Sequence, residues 1–324
     1  MKNDLKNILS PLDEYLSRVD KYIVSCFDTG IEIIDKSALH LFEGGGKRIR
    51  ASLVILTSGL RGNVPDGIIE MAASTEIVHA ASLIHDDIID KSRLRRGNVS
   101  VPEKWGNKVS VLVGDYMYSI ALNIATDDGD PRLFPLMVNG SKDMVMGELY
   151  QLQYSNIDKI NFEHYMKIIE MKTARFMAFS SQLGGVKAGF SDEDCLKLYN
   201  FGLNLGYAFQ VIDDTLDVAN DHLTVGKDTG NDLKDGKITI PFIYLIEKNG
   251  EESRKLLQDY IENPDDKKFN SIREELNSTG SINDSIDLAK QYVNKALDFI
   301  REFPETEFKN ILIEISNFFI NRKF

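Results

Sequence analysis

Between residues 70 and 84 a small or apolar side chain recurs at every third or fourth position. Met71, Thr75, Val78 and Ser82 form one stripe, and Ala73, Ile77, Ala80 and Ile84 form the next. That spacing is the period of a helix, and no β-strand holds both stripes on one face. The same period runs through 109–126 and 202–216, where apolar residues cover nearly the whole circumference, and these helices are expected in a bundle interior. It returns in Ile282, Ile286, Ala289, Val293, Ala296, Leu297 and Ile300, with Ser281 read as the N-cap. With only 8 prolines in 324 residues and little β-branched alternation, the reading is all-α, a bundle of ten or more helices. Loops are expected at 43–46, 91–105, 126–135, 222–237 and 262–268. None has a linker's composition, so one domain spanning 1–324 is expected.

Composition narrows the class. Lys plus Arg is 38 against 50 Asp plus Glu, a net charge of −12, which argues against a nucleic-acid partner held through phosphate contacts. Cys26 and Cys195 lie far apart in no motif, so neither a disulfide framework nor a cysteine zinc site is expected. Residues 1–13 carry four charges and no long apolar run, unlike a signal peptide, and no uncharged apolar stretch reaches the roughly 18–20 residues of a membrane span. The expectation is a soluble cytoplasmic protein with no transmembrane segment.

Two identical patterns interrupt the apolar helices. Asp86-Asp87-Ile88-Ile89-Asp90 and Asp213-Asp214-Thr215-Leu216-Asp217 both read DDxxD. On a helix, positions i and i+4 share a face, so Asp86 meets Asp90 and Asp213 meets Asp217. Carboxylates paired this way repel, and within apolar surroundings they are costly without a cation between them. Mg²⁺ suits them, because it takes a few carboxylates and completes its shell with phosphate oxygens and water. Basic groups alternate with the acids. Gly44-Gly45-Gly46-Lys47-Arg48-Ile49-Arg50 is a glycine-rich turn feeding a helix, Arg93, Arg95 and Arg96 sit at the end of the first aspartate helix, and Lys227, Lys234 and Lys237 follow the second in a loop. Metal, diphosphate and an apolar surround point to isoprenoid chemistry. His79 lies seven residues, nearly two turns, before Asp86 on the same face.

These residues resemble the trans-isoprenyl diphosphate synthases, the polyprenyl synthase family, from about residue 41 to 242. The resemblance rests on Gly45-Gly46-Lys47-Arg48-Ile49-Arg50, the run from His79 to Asp90, Leu94-Arg95-Arg96-Gly97, Gly147-Glu148 with Gln151, Lys172-Thr173-Ala174, Phe209-Gln210 to Asp217, and Gly226-Lys227 to Pro241. It implies an isoprenoid-synthase bundle around a central active-site cavity and a homodimer. It also implies head-to-tail addition of isopentenyl diphosphate to an allylic diphosphate. Asp86, Asp90 and Asp213 resemble the Mg²⁺ ligands, for three ions when substrate is bound, with Asp87, Asp214 and Asp217 as supporting carboxylates. Lys47, Arg50, His79 and Arg96 match the isopentenyl diphosphate pocket. Arg95, Lys172, Lys227 and Lys237 match the grip on the allylic diphosphate, and Thr173 and Gln210 resemble residues beside the reacting carbons.

Product length is expected to follow what floors the cavity below the first cluster. Early-stopping relatives carry a bulky aromatic four or five residues before the first aspartate. Here those positions are Ser82 and Ala81, and a turn below stand Val78 and Ile77, which favours a C30–C50 product over geranylgeranyl or farnesyl diphosphate. Met144, Met146 and Leu149 are alternative floor residues. Two rivals are a terpene cyclase, disfavoured by the second intact DDxxD, and a non-catalytic subunit of a heteromeric synthase, disfavoured because no aspartate is missing.

Overall fold

A computed structural model of the chain describes residues 5–219 and 230–321. Among the described residues it is all-α apart from one two-stranded hairpin, with more than ten helices. Two compact units divide the chain. The first draws on Met1–Lys142, Met177–Gly202 and Ile300–Ile315, and the second on Asp143–Phe176, Leu203–Phe299 and Ser316–Phe324.

Helix Ile68–Ile89 is the centre of the first unit and packs against Asn107–Asp127, Ile49–Ser58 and Asp13–Cys26. Its small residues are what let three neighbours reach it, since Ala72, Ala73 and Ala81 have no exposed surface. Its buried hydroxyls cost little, because Ser74 and Thr75 donate to the carbonyls of Met71 and Ala72 at 2.7 and 2.8 Å. Close approaches depend on glycine. A Cβ on Gly114 would stand 2.2 Å from His85 Nε2, so the histidine can lie flat on that helix, with Nε2 3.3 Å from the Val111 carbonyl. His85 is thus a packing residue.

The first aspartate helix ends at Ile89. Lys91 takes φ +51°, and the Ser92 amide returns to the Asp87 carbonyl at 2.9 Å, a left-handed helix stop made without glycine. Arg95 and Arg96 are therefore not at a helix end, as expected, but on a hairpin that pairs Leu94 with Val99 and Arg95 with Asn98. Its turn residues, Arg96 and Gly97, have φ of +52° and +81°, the signature of the hairpin turn that matches strand twist. The rest of the expected 91–105 loop holds a short helix, Val101–Trp105, capped by the Ser100 hydroxyl. Helix Asn107–Asp127 also departs from expectation. It is long and apolar enough to cross a membrane by length and composition, yet Val113, Met117 and Ala121 are packed while Val111 and Leu112 are 43% and 61% exposed. Its apolar circumference is covered on one side only.

In the second unit the core gathers Tyr165, Ile168, Val211, Ile212, Phe242, Leu245, Ile272 and Val293. The part of helix Asp192–Ala219 beyond Gly202 is largely buried, as its composition implied. Helix Ser281–Ile300 begins at Ser281, so Ser281 is the first helical residue and not the cap. Of the expected 222–237 loop, residues up to 229 lie outside the described residues, and Asn231–Lys234 forms a short helix.

Gly184 tests the packing of the first unit. An alanine Cβ there would stand 2.2 Å from Thr57 Oγ1 and 2.3 Å from the Val54 carbonyl, and a backbone carbonyl cannot step aside. Gly184→Ala is expected to cost about 1–3 kcal/mol of stability, read as a lower denaturation midpoint.

Candidate active site

The first unit assembles cations around His79. The turn before helix Ile49–Ser58 carries Gly45 at φ +69° and Arg48 at φ +48°, and Arg96 on the hairpin donates to the Gly45 carbonyl. A Cβ on Gly46 would stand 3.0 and 3.1 Å from the guanidinium nitrogens of Arg96 and Arg48, so glycine lets both charges lie against the backbone. Lys47 and Arg96 are exposed, while Arg50 and His79 are partly buried. Burial pulls His79 well below its ordinary value, and the charges of Arg50, Arg96, Arg95 and Arg48 pull the same way. A neutral imidazole among four guanidiniums is a pocket for an anion.

Glu76 organises this group and was not singled out in the sequence. It is 6% exposed, accepts the Ala51 amide at 3.1 Å, and its other oxygen lies 3.9 Å from Arg48. A carboxylate on the apolar stripe 70–84 was its legible signal. Arg48 also donates from Nε to Asp20 Oδ1 at 2.8 Å.

In the first aspartate cluster Asp87 is fully buried and grips Arg95, whose Nε donates to Oδ1 at 2.8 Å; the other carboxylate oxygen, Oδ2, is buried without a hydrogen-bond partner. Burial raises Asp87, and Arg95 opposes the rise. Asp90 is exposed and Asp86 partly so. Ile77, Val78 and Ala81 are fully buried, Ser82 is partly buried with its hydroxyl turned to the His79 carbonyl at 2.8 Å, and Ser74 reaches Met137 Sδ at 3.9 Å. Of the alternative floor residues, Met144 is buried, but Met146 and Leu149 are 48% and 61% exposed.

The second unit holds a cavity of about 230 Å³ lined by Gln151, Tyr165, Lys172, Thr173, Gln210, Asp213, Asp214, Asp232 and Lys237, among others. A line of hydrogen bonds crosses it. Thr173 donates to Gln210 Oε1 at 2.9 Å, Gln210 Nε2 donates to Asp214 Oδ1 at 2.7 Å, and Tyr165 Oη donates to Asp214 Oδ2 at 2.7 Å. Asp214 is thereby a support and not an open ligand. Burial first, then the charge of Asp232, holds its carboxyl well above the ordinary range. Lys172 donates to Gln151 Oε1 at 2.8 Å and pairs with Glu148. Asp217 accepts the Asp232 amide at 3.2 Å, and Asp213 stays exposed on the rim. Lys234, weighed with these lysines, is exposed and does not line the cavity, and Lys227 lies outside the described residues. Tyr165 and Asp232 were missed; neither belongs to a repeated pattern, and Asp232, in the short helix Asn231–Lys234, lies 15 residues beyond Asp217, whose carboxylate accepts its amide.

Among the described residues no three metal-binding side chains form a ready-made cation centre. The pairs Asp86/Asp90 and Asp213/Asp217 instead fit a hard cation that takes one or two carboxylates and finishes its shell on a bound phosphate and water.

The polyprenyl synthetase family model matches residues 31–277. The chain belongs to that family. It is 31% identical over 308 residues to octaprenyl diphosphate synthase of Escherichia coli, covering 95% of both chains. It is 31% identical to heptaprenyl diphosphate synthase component 2 of Bacillus subtilis, over 99% of this chain and 92% of the relative. Its fold matches that of a polyprenyl synthase from Caulobacter crescentus, complexed with calcium and isoprenyl diphosphate, with TM-score 0.92, 30% identity and 99% coverage of each chain. The family expected from the aspartate clusters and the all-α fold class are both borne out.

Asp232 yields a pH prediction. Burial, and after it Asp217, raises its carboxyl to about 6. An unfolded Asp titrates near pH ~3.9, so the folded chain gains protonation-linked stability at low pH and loses it as pH rises through about 6. Asp232→Asn is expected to melt above the unsubstituted protein at pH ~7.5, by about 1–3 kcal/mol, with the gap closing towards pH ~5. Thermal melts without divalent cation read it.

Proposed function

We propose that this enzyme is a Mg²⁺-dependent prenyltransferase that adds isopentenyl diphosphate head-to-tail to an allylic diphosphate, building a C30–C50 polyprenyl diphosphate, with 1–324 acting as one domain. The observation carrying this reading is the cavity in which the carboxylates Asp213, Asp214 and Asp232 stand with the ammonium groups of Lys172 and Lys237, beside Thr173 and Gln210. Acids and bases lining one small space suit a diphosphate delivered with cations.

Asp86, Asp90 and Asp213 would hold Mg²⁺, three ions when substrate is bound, and when bound it neutralises charge on the leaving diphosphate. Lys172, Lys237, Lys227 and Arg95 hold the allylic diphosphate and stabilise the negative charge that grows as its C1–O bond breaks. Lys47, Arg50, Arg96 and neutral His79 hold isopentenyl diphosphate. Its C4 forms the new bond to C1 of the allylic cation, and the C2 proton leaves to the departing diphosphate. Thr173 and Gln210 fix the polar edge of the reacting carbons through the bonds they make to one another. The apolar walls keep water from the cation.

Long products are supported by the small residues Ala81 and Ser82, with Val78 and Ile77 a turn below, and by the octaprenyl and heptaprenyl names of two relatives. A homodimer is supported by outward apolar side chains: Val111 and Leu112 on one helix, and Val145, Leu149 and Leu152, 52–62% exposed, on another. A cytoplasmic setting fits the expected chemistry. The Bacillus relative is named as one component of its synthase, so a second reading makes this chain one half of a two-chain enzyme.

Incubation of the purified protein with Mg²⁺, labelled isopentenyl diphosphate and farnesyl diphosphate should give a ladder ending between C30 and C50. A stop at C20 would leave the chemistry and overturn the chain length. No product from any primer would turn the assignment to the two-chain reading. Asp213→Ala should lower kcat by about 100-fold or more. Ala81→Tyr should shorten the product, and an unchanged length would refute the floor below the first cluster.

A further inference from the structure

Lys172 and Thr173 do not sit on an α-helix. Residues Glu170–Ala174 form a π-turn between helix Phe162–Ile169 and helix Arg175–Lys187, and the Arg175 amide bonds the Glu170 carbonyl five residues back. Such a turn carries one extra residue relative to an α-helix and is frequent at functional sites. An α-helical course through the same residues would place Lys172 and Thr173 at a different angle around the helix axis.

The side chains of the same two residues close over the turn. Arg175 donates to Glu170 Oε1 from Nε at 2.9 Å and from its terminal nitrogen at 2.6 Å. In an α-helix, positions i and i+5 point about 140° apart and cannot clasp, whereas a π-turn stacks them. The ion pair therefore favours this turn over its alternative. It is anchored outside the helix as well. The remaining Arg175 nitrogen donates to Asp143 Oδ2 at 3.0 Å, and the Tyr207 hydroxyl and Lys167 both bond Glu170. Burial disfavours charge on Glu170, yet Arg175 and Lys167 hold its carboxyl below the ordinary value.

Two glycines let the neighbours close in. A Cβ on Gly147 would stand 2.8 Å from the Lys172 amide nitrogen, and one on Gly206 would stand 2.5 Å from Ala174 Cα. Asp143, Gly147 and Gln151 lie on one face of helix Leu133–Tyr154, with Glu148 beside that face. That face grips Arg175, admits the turn, and then takes the Lys172 ammonium.

We infer that Arg175, clasped to Glu170 and Asp143, is a positioning residue that holds the π-turn and so aims Lys172 and Thr173 at the allylic diphosphate. The inference rests on the reading of Lys172 and Thr173 given above. It assigns Arg175 no contact with substrate.

The test compares Arg175→Met, Glu170→Gln and Arg175→Lys with the unsubstituted protein. Amide hydrogen exchange of 170–175, measured without substrate, should accelerate in Arg175→Met and Glu170→Gln. In the same variants kcat/KM for farnesyl diphosphate should fall about 10–100-fold, while KM for isopentenyl diphosphate stays within about twofold. Lysine cannot reproduce the two-carboxylate fork, so Arg175→Lys should recover the melting temperature but only part of the rate. Unchanged exchange in both variants would overturn the clasp. A fall in every kinetic constant that tracks a lost melting temperature would overturn positioning and leave a structural role. If Arg175→Met does not fold, Glu170→Gln carries the same readouts at nearly unchanged volume. Failure of the unsubstituted protein to make product would sink the functional reading, while the exchange result still judges the clasp.

Discussion

Everything in this structure answers one electrostatic constraint: carboxylates placed on apolar helices must be held without being quenched. Asp87 and Asp214 show how. Each is the middle member of its DDxxD and each is buried; Asp87 gives Oδ1 to Arg95 while its Oδ2 has no hydrogen-bond partner, and Asp214 gives both oxygens to Tyr165 and Gln210. Tyr165 is itself driven well above its ordinary value, by burial first and then by Asp214, so it remains a donor. With the middle acid committed to structure, the outer pair at i and i+4 shares one helix face, as the proposed cation site needs. The repeated pattern thus splits into two jobs set by helix geometry.

The cations meet the same constraint from the other side. Arg48, Arg50, Arg95 and Arg96 repel one another around His79, and the fold offsets this with two buried carboxylates of one helix, Glu76 beside Arg48 and Asp87 on Arg95. Glu76 sits at 6% exposure on a helix that otherwise buries apolar groups. Removing it would take a buried countercharge away from Arg48, Arg50 and Arg96, and losing such a charge costs a guanidinium more than the pair contributes by being present. Such residues touch no substrate, yet they decide whether those that do can stay charged.

Much of this was legible in the chain. The period through 70–84 and 202–216 is set by burial, and the aspartates stood out because they break it. What was not legible depends on contacts that sequence spacing does not carry. Arg95 and Arg96 were read at a helix end because nothing before Lys91 announces the left-handed stop there; only the pair Arg96-Gly97 hints at a hairpin. Val111 and Leu112 read as interior, since an apolar side chain does not say whether its own chain covers it. Asp232 joins the cavity through tertiary placement alone. The π-turn at Glu170–Ala174 is hidden for a different reason: Glu170 and Arg175 lie five apart, a spacing that means nothing on an α-helix and becomes a contact only once the extra residue is there.

A net charge of −12 poses a problem for a chain that binds diphosphates. At long range its field repels an anion, but exposed charges are screened beyond about 8–10 Å at physiological ionic strength. Inside that distance the local sign decides. Around His79 burial first, and then the charges of four guanidiniums, pull the imidazole below its ordinary value, as a locally positive surround requires. Around Asp232 the sign is opposite, since neighbouring carboxylates help burial raise it to about 6. In the proposed reading the first environment takes a bare diphosphate and the second takes one only after cations have reversed its charge. The two substrates of a head-to-tail condensation would then be told apart by the charge state in which they arrive, before any hydrocarbon is read.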